Sequence, residues 1–226
     1  MSPESPWRAR FIFASGTVPN GSRSTGDNGQ IFATGVSTSY GTSIPTVTPE
    51  STTIQYATLT QSWRGSWRTD TLDVVQGLYS DTGYNSSLYW NRGCMWFGNL
   101  RGTLSGTTIK SATLTIYRKT GSGSSNPKNV YLCAITNTTA SGTPSIAVTY
   151  GAIGVIGRGE TLSVNVPVAL VQGLANGTYG GLCLYEPSYN FGSSQWSDSY
   201  MRIAGTNDSV NKPYLLVVYS GSTAVG

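Results

Sequence analysis

From Ser111 to Tyr117 apolar and polar side chains alternate without a break. Ala112, Leu114 and Ile116 fall on one face, and Thr113, Thr115 and Tyr117 fall on the other. Successive side chains of an extended chain point to opposite sides, so this is a strand with one face in a core. The same pattern predicts a half-buried strand over Ile54–Thr60. Further strands are expected at Asp73–Tyr79, Gly93–Gly98, Asn129–Ile135, 145–150, 152–157, 161–166, Gly181–Tyr185, Tyr200–Ala204 and Pro213–Tyr219. Polar, glycine-rich stretches separate them, with 80–92 predicted as a loop and Gly121–Pro127 as a turn. Only Pro167–Gly177 departs from the pattern. A proline opens it, Val168, Val171 and Leu174 recur every third residue, and a glycine closes it, so it is predicted as the one helix. Many short strands with turn signals between them argue for a β-sandwich or barrel.

Upstream of this region the texture is different. Residues 1–52 are rich in Gly, Ser, Thr, Pro and Asn, broken by short apolar pieces that hold Phe11 and Phe13, then Ile31 and Phe32. Pieces this short cannot form a core alone. They are expected to make an ordered assembly arm, packed on its own body or on a neighbouring subunit. The sandwich domain is assigned to 53–220, and 221–226 to a flexible tail.

Composition narrows the function. Charged residues make up only 11% of the chain, against about a quarter in an ordinary globular domain, and Gly reaches 28. The net charge is +4, but the cations are scattered, with no clustered basic face of the kind nucleic acid requires. No stretch approaches the roughly 18 apolar residues of a membrane span, so membrane insertion is not expected. The N-terminus lacks the basic start and apolar run of a secretory signal. Three cysteines, Cys94, Cys133 and Cys183, form no CxxC pair. Buried free thiols are expected, while a single disulfide stays open.

The chain has no histidine, which removes Ser-His and Cys-His pairs and the commonest transition-metal ligand. Asp70, Asp73 and Asp81 lie upstream, and Glu186 and Asp198 flank one aromatic loop. They are expected to hydrogen-bond turns and not to form a glycosidase pair. No phosphate-binding loop and no Asp-rich calcium loop is present, so neither cofactor nor metal is expected, and the chain is read as non-enzymatic.

The richest surface candidates are two loops. Loop 185–200 interleaves Tyr189, Phe191, Trp196 and Tyr200 with Asn190, Gln195 and Asp198, and loop 80–92 combines Tyr84, Asn85, Tyr89, Trp90 and Asn91. Rings stack on the C–H faces of sugars while amides and carboxylates bond their hydroxyls. Tyr189, Asn190, Phe191, Gln195, Trp196, Asp198, Tyr84 and Trp90 are therefore the candidate glycan ligands. The competing expectation is that these rings pin long loops or fill a subunit interface. Trp63, Trp67, Trp96 and Phe97 are read as core or interface.

Several segments carry a resemblance. Ile109–Tyr117, Val130–Leu132, Leu162–Val166, Ala169–Leu174, Gly181–Leu184 and Pro213–Tyr219, in that order, resemble the DNRLRE-type domain, a jelly-roll relative of carbohydrate-binding modules. Gly65–Asp70, Val75–Tyr79 and Asn91–Asn99 resemble segments of minor structural and tail proteins of actinobacterial bacteriophages. The resemblance implies an all-β, antiparallel jelly-roll β-sandwich with one short helix and an extended N-terminal arm. It also implies a phage virion protein carrying a sandwich of carbohydrate-binding type, without implying a particular ligand. Together with the aromatic loops, the expected function is a minor tail or tail-tip protein that contacts host-surface glycan. The alternative is a capsid decoration or other assembly-only subunit with no ligand. Expected partners are other virion subunits, further copies of the chain in a homo-oligomer, and cell-surface glycan. Synthesis would be in the host cytoplasm, and the protein would be located in the virion.

Overall fold

In the computed structural model, which describes residues 48–81, 87–186 and 200–221, the chain is an all-β sandwich of antiparallel strands. Tyr84, Tyr189, Asn190, Phe191, Gln195, Trp196 and Asp198 lie outside the described residues, as do Phe11, Phe13, Ile31 and Phe32 of the expected arm.

One sheet holds β1 (Glu50–Tyr56), β12 (Tyr214–Ser220), the first part of β6 (Thr108–Gly123) and β9 (Thr161–Asn165), in that order. The other runs β3 (Trp67–Arg68), β2 (Leu59–Arg64), β5 (Ser87–Trp96), β10 (Gly181–Leu184), β7 (Lys128–Ile135) and β8 (Ile146–Ile156). Two strands join them at one end. β11 (Met201–Ile203) pairs with the far part of β6 and with the start of β4 (Val74–Asp81), whose second half pairs with β5.

The core lies where the alternation put it. Ala112, Leu114 and Ile116 meet Leu215 and Val217 from the first sheet and Met95, Leu132, Ala134, Leu182 and Leu184 from the second. Each fully buried Leu or Ile contributes about 1.5–3 kcal/mol. The expected helix is present as α2 (Val168–Asn176), with Pro167 before it and Gly177 at φ 82° ending it. Its buried stripe is Leu170, Val171, Leu174 and Ala175, while Val168 faces outward. Gln172 anchors it, accepting the Ile109 N–H at 3.0 Å and donating to the Thr107 carbonyl at 3.2 Å.

Four expectations are corrected. A second short helix, α1 (Leu100–Leu104), packs beside α2 and buries Leu100 and Leu104. Ile54–Thr60 is not one strand: the Ala57 N–H bonds the Pro213 carbonyl in one sheet, and the next N–H, of Thr58, bonds Trp96 in the other. Of the expected loop 80–92, residues 80–81 and 87–92 are strand, because Tyr79, Ser80 and Asp81 pair with Tyr89, Leu88 and Ser87. The strands expected at 145–150 and 152–157 are one, β8, kinked at Gly151 (φ 83°) where its register with β7 shifts. Bulges of this kind bend an edge strand and spoil it as a template for another chain.

The cysteines are free and buried. Register places Cys94, Cys183 and Cys133 side by side across β5, β10 and β7, flanked by Gln61 and Thr149. With Trp63, Trp96 and Ile135 they form a second cluster, against which Ala140 of the β7–β8 connection packs. Burial pushes the Cys133 thiol up to about 11, against a partial opposing pull from Thr149, and also raises Cys183 well above its ordinary value.

Arg118 marks the point where β6 leaves the first sheet. It is fully buried and donates to the carbonyls of Asn126 (2.9 Å), Ile156 (2.8 Å) and Ser124.

Replacing Arg118 by Met removes the side-chain donor to the Asn126 and Ile156 carbonyls and one of two to Ser124, and is expected to cost about 3 kcal/mol, read as a lowered urea midpoint. Arg118→Lys should recover only part, since a point charge cannot copy the guanidinium fork. For Cys133 the fold favours the neutral thiol, so its contribution is complete below its ordinary pKa of 9.0 and is lost as pH rises through about 11. Unfolding free energy over that window should fall more steeply in the parent protein than in Cys133→Ala; equal slopes would contradict the assignment.

Candidate functional site

The sequence Trp63-Arg64-Gly65-Ser66-Trp67-Arg68 repeats one dipeptide on either side of a two-residue turn. Gly65 takes φ 57°, a left-handed value that the first position of a tight hairpin demands, and β2 folds back on β3 with Arg64 opposite Trp67. Arg64 is also opposite Asn91 of β5, and Asn91 is opposite Gly77 of β4. Register thus brings Trp67, Arg64, Asn91 and Gly77 into one row across four strands, with Tyr89 and Tyr79 two residues further along β5 and β4.

The rings on this face touch in two pairs. Trp67 lies 5.4 Å from Tyr89 between centroids, and Tyr79 lies 5.8 Å from Tyr200, where the chain re-enters after the 187–199 segment. The Arg64 guanidinium sits 3.4 Å above the Tyr79 ring, within the range of a strong cation–π contact. Beside it opens a cleft of about 220 Å³ lined by Arg64, Thr69, Asp70, Asn91, Tyr200 and Arg202, among others. It continues past Arg64, Thr69 and Asp70 into a second hollow reaching Trp67 and Arg68. Three guanidiniums therefore face one carboxylate. Arg68 is held by the Gln61 side-chain oxygen at 3.1 Å.

A close backbone approach sets this geometry. The segment entering β4 crosses β2 and β5 at Ser62 and Gly93, with the Ser62 hydroxyl donating to Asp73 (2.7 Å) and accepting the Val75 N–H (2.8 Å). A Cβ on Gly93 would meet the Val75 nitrogen at 2.4 Å.

Of the loop residues singled out in the sequence, Trp90 lies half-buried in β5, opposite Leu78. Strand alternation turns it away from the face that carries Tyr89 and Asn91. Tyr200 lines the cleft, and Tyr185 lies under Arg92 on the second sheet's other face, 4.8 Å from guanidinium to ring. Glu186 is half-buried, its carboxyl raised by burial against the lowering pull of Lys128 and a Tyr131 hydrogen bond; Asp198 lies outside the described residues. Three other carboxylates hold turns and strands together. Asp73 pairs with Lys119 at 3.0 Å, Glu160 accepts the Gly157 N–H, and Asp208 accepts those of Val210 and Asn211, which hold its pKa down. No cluster of three metal-ligating side chains occurs among the described residues. Trp63, Trp96 and Phe97 are buried as expected, but Trp67 is 63% exposed. Sequence reading passed over Arg64, Tyr79 and Arg202 as site residues; the doubled Trp-Arg around Gly65 was the available signal.

A wider groove, about 570 Å³, runs beside β1 and is lined by Ile54, Tyr56, Asn99, Thr103, Val210 and Lys212, with Gln55 and Ser209. Ile54, Tyr56 and Val210 are exposed there. It carries one cation and no buried charged group, so its chemistry is that of a contact surface more than of an orienting site.

No protein-family model matches the chain, and no curated protein sequence matches it.

Gly93→Ala should force β4 off β5 and cost about 1–3 kcal/mol, the usual range for overpacking. Urea unfolding checks this, and a midpoint equal to the parent's would mean that the approach of Val75 to Gly93 is not tight.

Proposed function

We propose that the protein is a non-catalytic binding module that holds a cell-surface glycan on the face formed by β2, β3, β4 and β5. In the setting implied by the resemblance to phage tail segments, it acts as a minor tail or tail-tip subunit of a virion. The observation that carries this is the run of rings Trp67–Tyr89 and Tyr79–Tyr200 beside a polar cleft. Sugar rings present C–H faces that stack on such side chains, and Asp70 and Thr69 offer partners to hydroxyls at the rim. The non-catalytic part rests on the lack of any histidine in the chain and on the structural roles of Asp73, Glu160 and Asp208.

A second function, assembly without ligand, draws support from exposed Ile54, Tyr56 and Val210 around the β1 groove. Apolar side chains of a neighbouring virion subunit would cover them.

The test is retention of the purified protein on isolated host envelope glycan. Trp67→Ala and Tyr79→Ala should each weaken binding about three- to tenfold, the range expected for a lost ring contact, with the circular-dichroism spectrum unchanged. Undiminished retention of both variants would remove the ring face from the glycan reading and leave the assembly function in its place.

A further inference from the structure

The cleft is richer in unanswered positive charge than a neutral sugar needs. Arg64 and Arg202 both line it, and the Nε–H of each is buried without a hydrogen-bond acceptor. Neither side chain donates a hydrogen bond to any described residue. The one ion pair among the described residues is Lys119 with Asp73, so Asp70, although it lines the same cleft, neutralises neither arginine by direct contact.

Two other arginines also have an unpaired Nε, and their settings differ. Arg118 directs its terminal nitrogens to three carbonyls, and Arg92 rests on Tyr185 on the opposite face. Only at Arg64 and Arg202 do two guanidiniums with free donors share one cavity.

A buried donor without an acceptor costs about 1–3 kcal/mol, and more when the group is charged. A planar fork of N–H groups matches the paired oxygens of a carboxylate or phosphate, and stacking on Tyr79 holds the plane of Arg64 before any ligand arrives. The cleft, at about 220 Å³, is smaller than the roughly 300–1,000 Å³ of sites for drug-sized ligands, so it suits one charged group or one sugar unit. Asp70, an acceptor beside the two forks, fits a ligand that carries hydroxyls next to its anion.

We propose that this cleft selects acidic glycans, seating a carboxylate or phosphodiester between Arg64 and Arg202 while Asp70 takes a neighbouring hydroxyl. The proposal rests on the glycan-binding function above and adds the charge of the ligand to it.

Calorimetric titration of the full chain with three probes of matched length tests it: a glucuronate-containing oligosaccharide, a glycerol-phosphate oligomer and a neutral oligosaccharide. At least one acidic probe should bind tenfold or more tightly than the neutral one, and added salt should shrink that advantage. Whichever acid binds identifies the anionic group. Arg64→Gln and Arg202→Gln should each abolish the preference, lowering affinity for the acidic probe far more than for the neutral one. Arg202→Lys, which keeps charge and most packing, should retain part of it and guards against a folding defect in the glutamine variants. Equal binding of acidic and neutral probes, or a preference that survives both glutamine variants, would overturn the acidic selectivity and leave glycan binding intact. Failure of all three probes to bind would overturn the selectivity too, and retention on envelope glycan would then decide the broader function by itself.

Discussion

A strand that changes partners half-way along its length leaves backbone carbonyls aimed at no ladder, and this sandwich depends on how those groups are answered at Arg118. β6 serves the first sheet up to Tyr117 and turns to β11 from Arg118 onward. The turn that follows it and the end of β8 would otherwise bury polar groups without partners, which folded chains avoid almost completely. One guanidinium answers three of them, and Arg158 adds contacts to the Ser124 and Gly123 carbonyls from outside. In a fold this poor in charge, a buried cation acts here as backbone hydrogen-bonding hardware.

The same device, partner exchange, builds the cleft. β4 begins against β11 and finishes against β5, with Gly77 at φ 103° where it changes over. Had β4 stayed with one sheet, Arg202 and Arg64 would belong to different faces. Exchange draws β11, β4, β5 and β2 into one continuous surface, and a cavity remains where the two sheets splay apart. The helical end of the sandwich shows the contrast. There α1 and α2 close the core with Leu100, Leu104, Leu170 and Leu174.

Side-chain alternation made most of the strands legible, because period two survives in the sequence wherever one face is buried: Ala112, Leu114 and Ile116 sit in the core as their spacing required. It could not show partner exchange. Between Ala57 and Thr58 the chain passes from one sheet to the other, and the side chains on either side keep their rhythm while only the accepting carbonyl changes. The β4–β5 hairpin was hidden for a related reason. Its residues are mostly polar or aromatic, broken only by Leu78 and Leu88, and long-range pairing, not local pattern, makes them strand. α1 is five residues with Gly102 inside, too short for any periodicity to register. At the site, Tyr89, Asn91 and Tyr200 fell within the stretches singled out for their aromatic and amide content. Arg64 did not, since its role comes from stacking on a tyrosine fifteen residues away, a contact that only the register of β2, β5 and β4 creates.

Scarcity makes the placement of cations informative. Where a surface is crowded with Lys and Glu, three arginines around a hollow would be ordinary; here charged residues are 11% of the chain. Several of the described cations are visibly engaged, with buried Arg118 and exposed Arg158 on carbonyls, half-buried Lys119 on Asp73 and exposed Arg68 on Gln61. Arg64 and Arg202 hold their charge partly out of water with no acceptor, an arrangement that stability alone disfavours. Apolar residues could have closed this end of the sandwich as they close the other. A fold that keeps two guanidinium Nε–H groups unpaired in one cavity forgoes that stabilisation, and the anion proposed for the cleft would recover it.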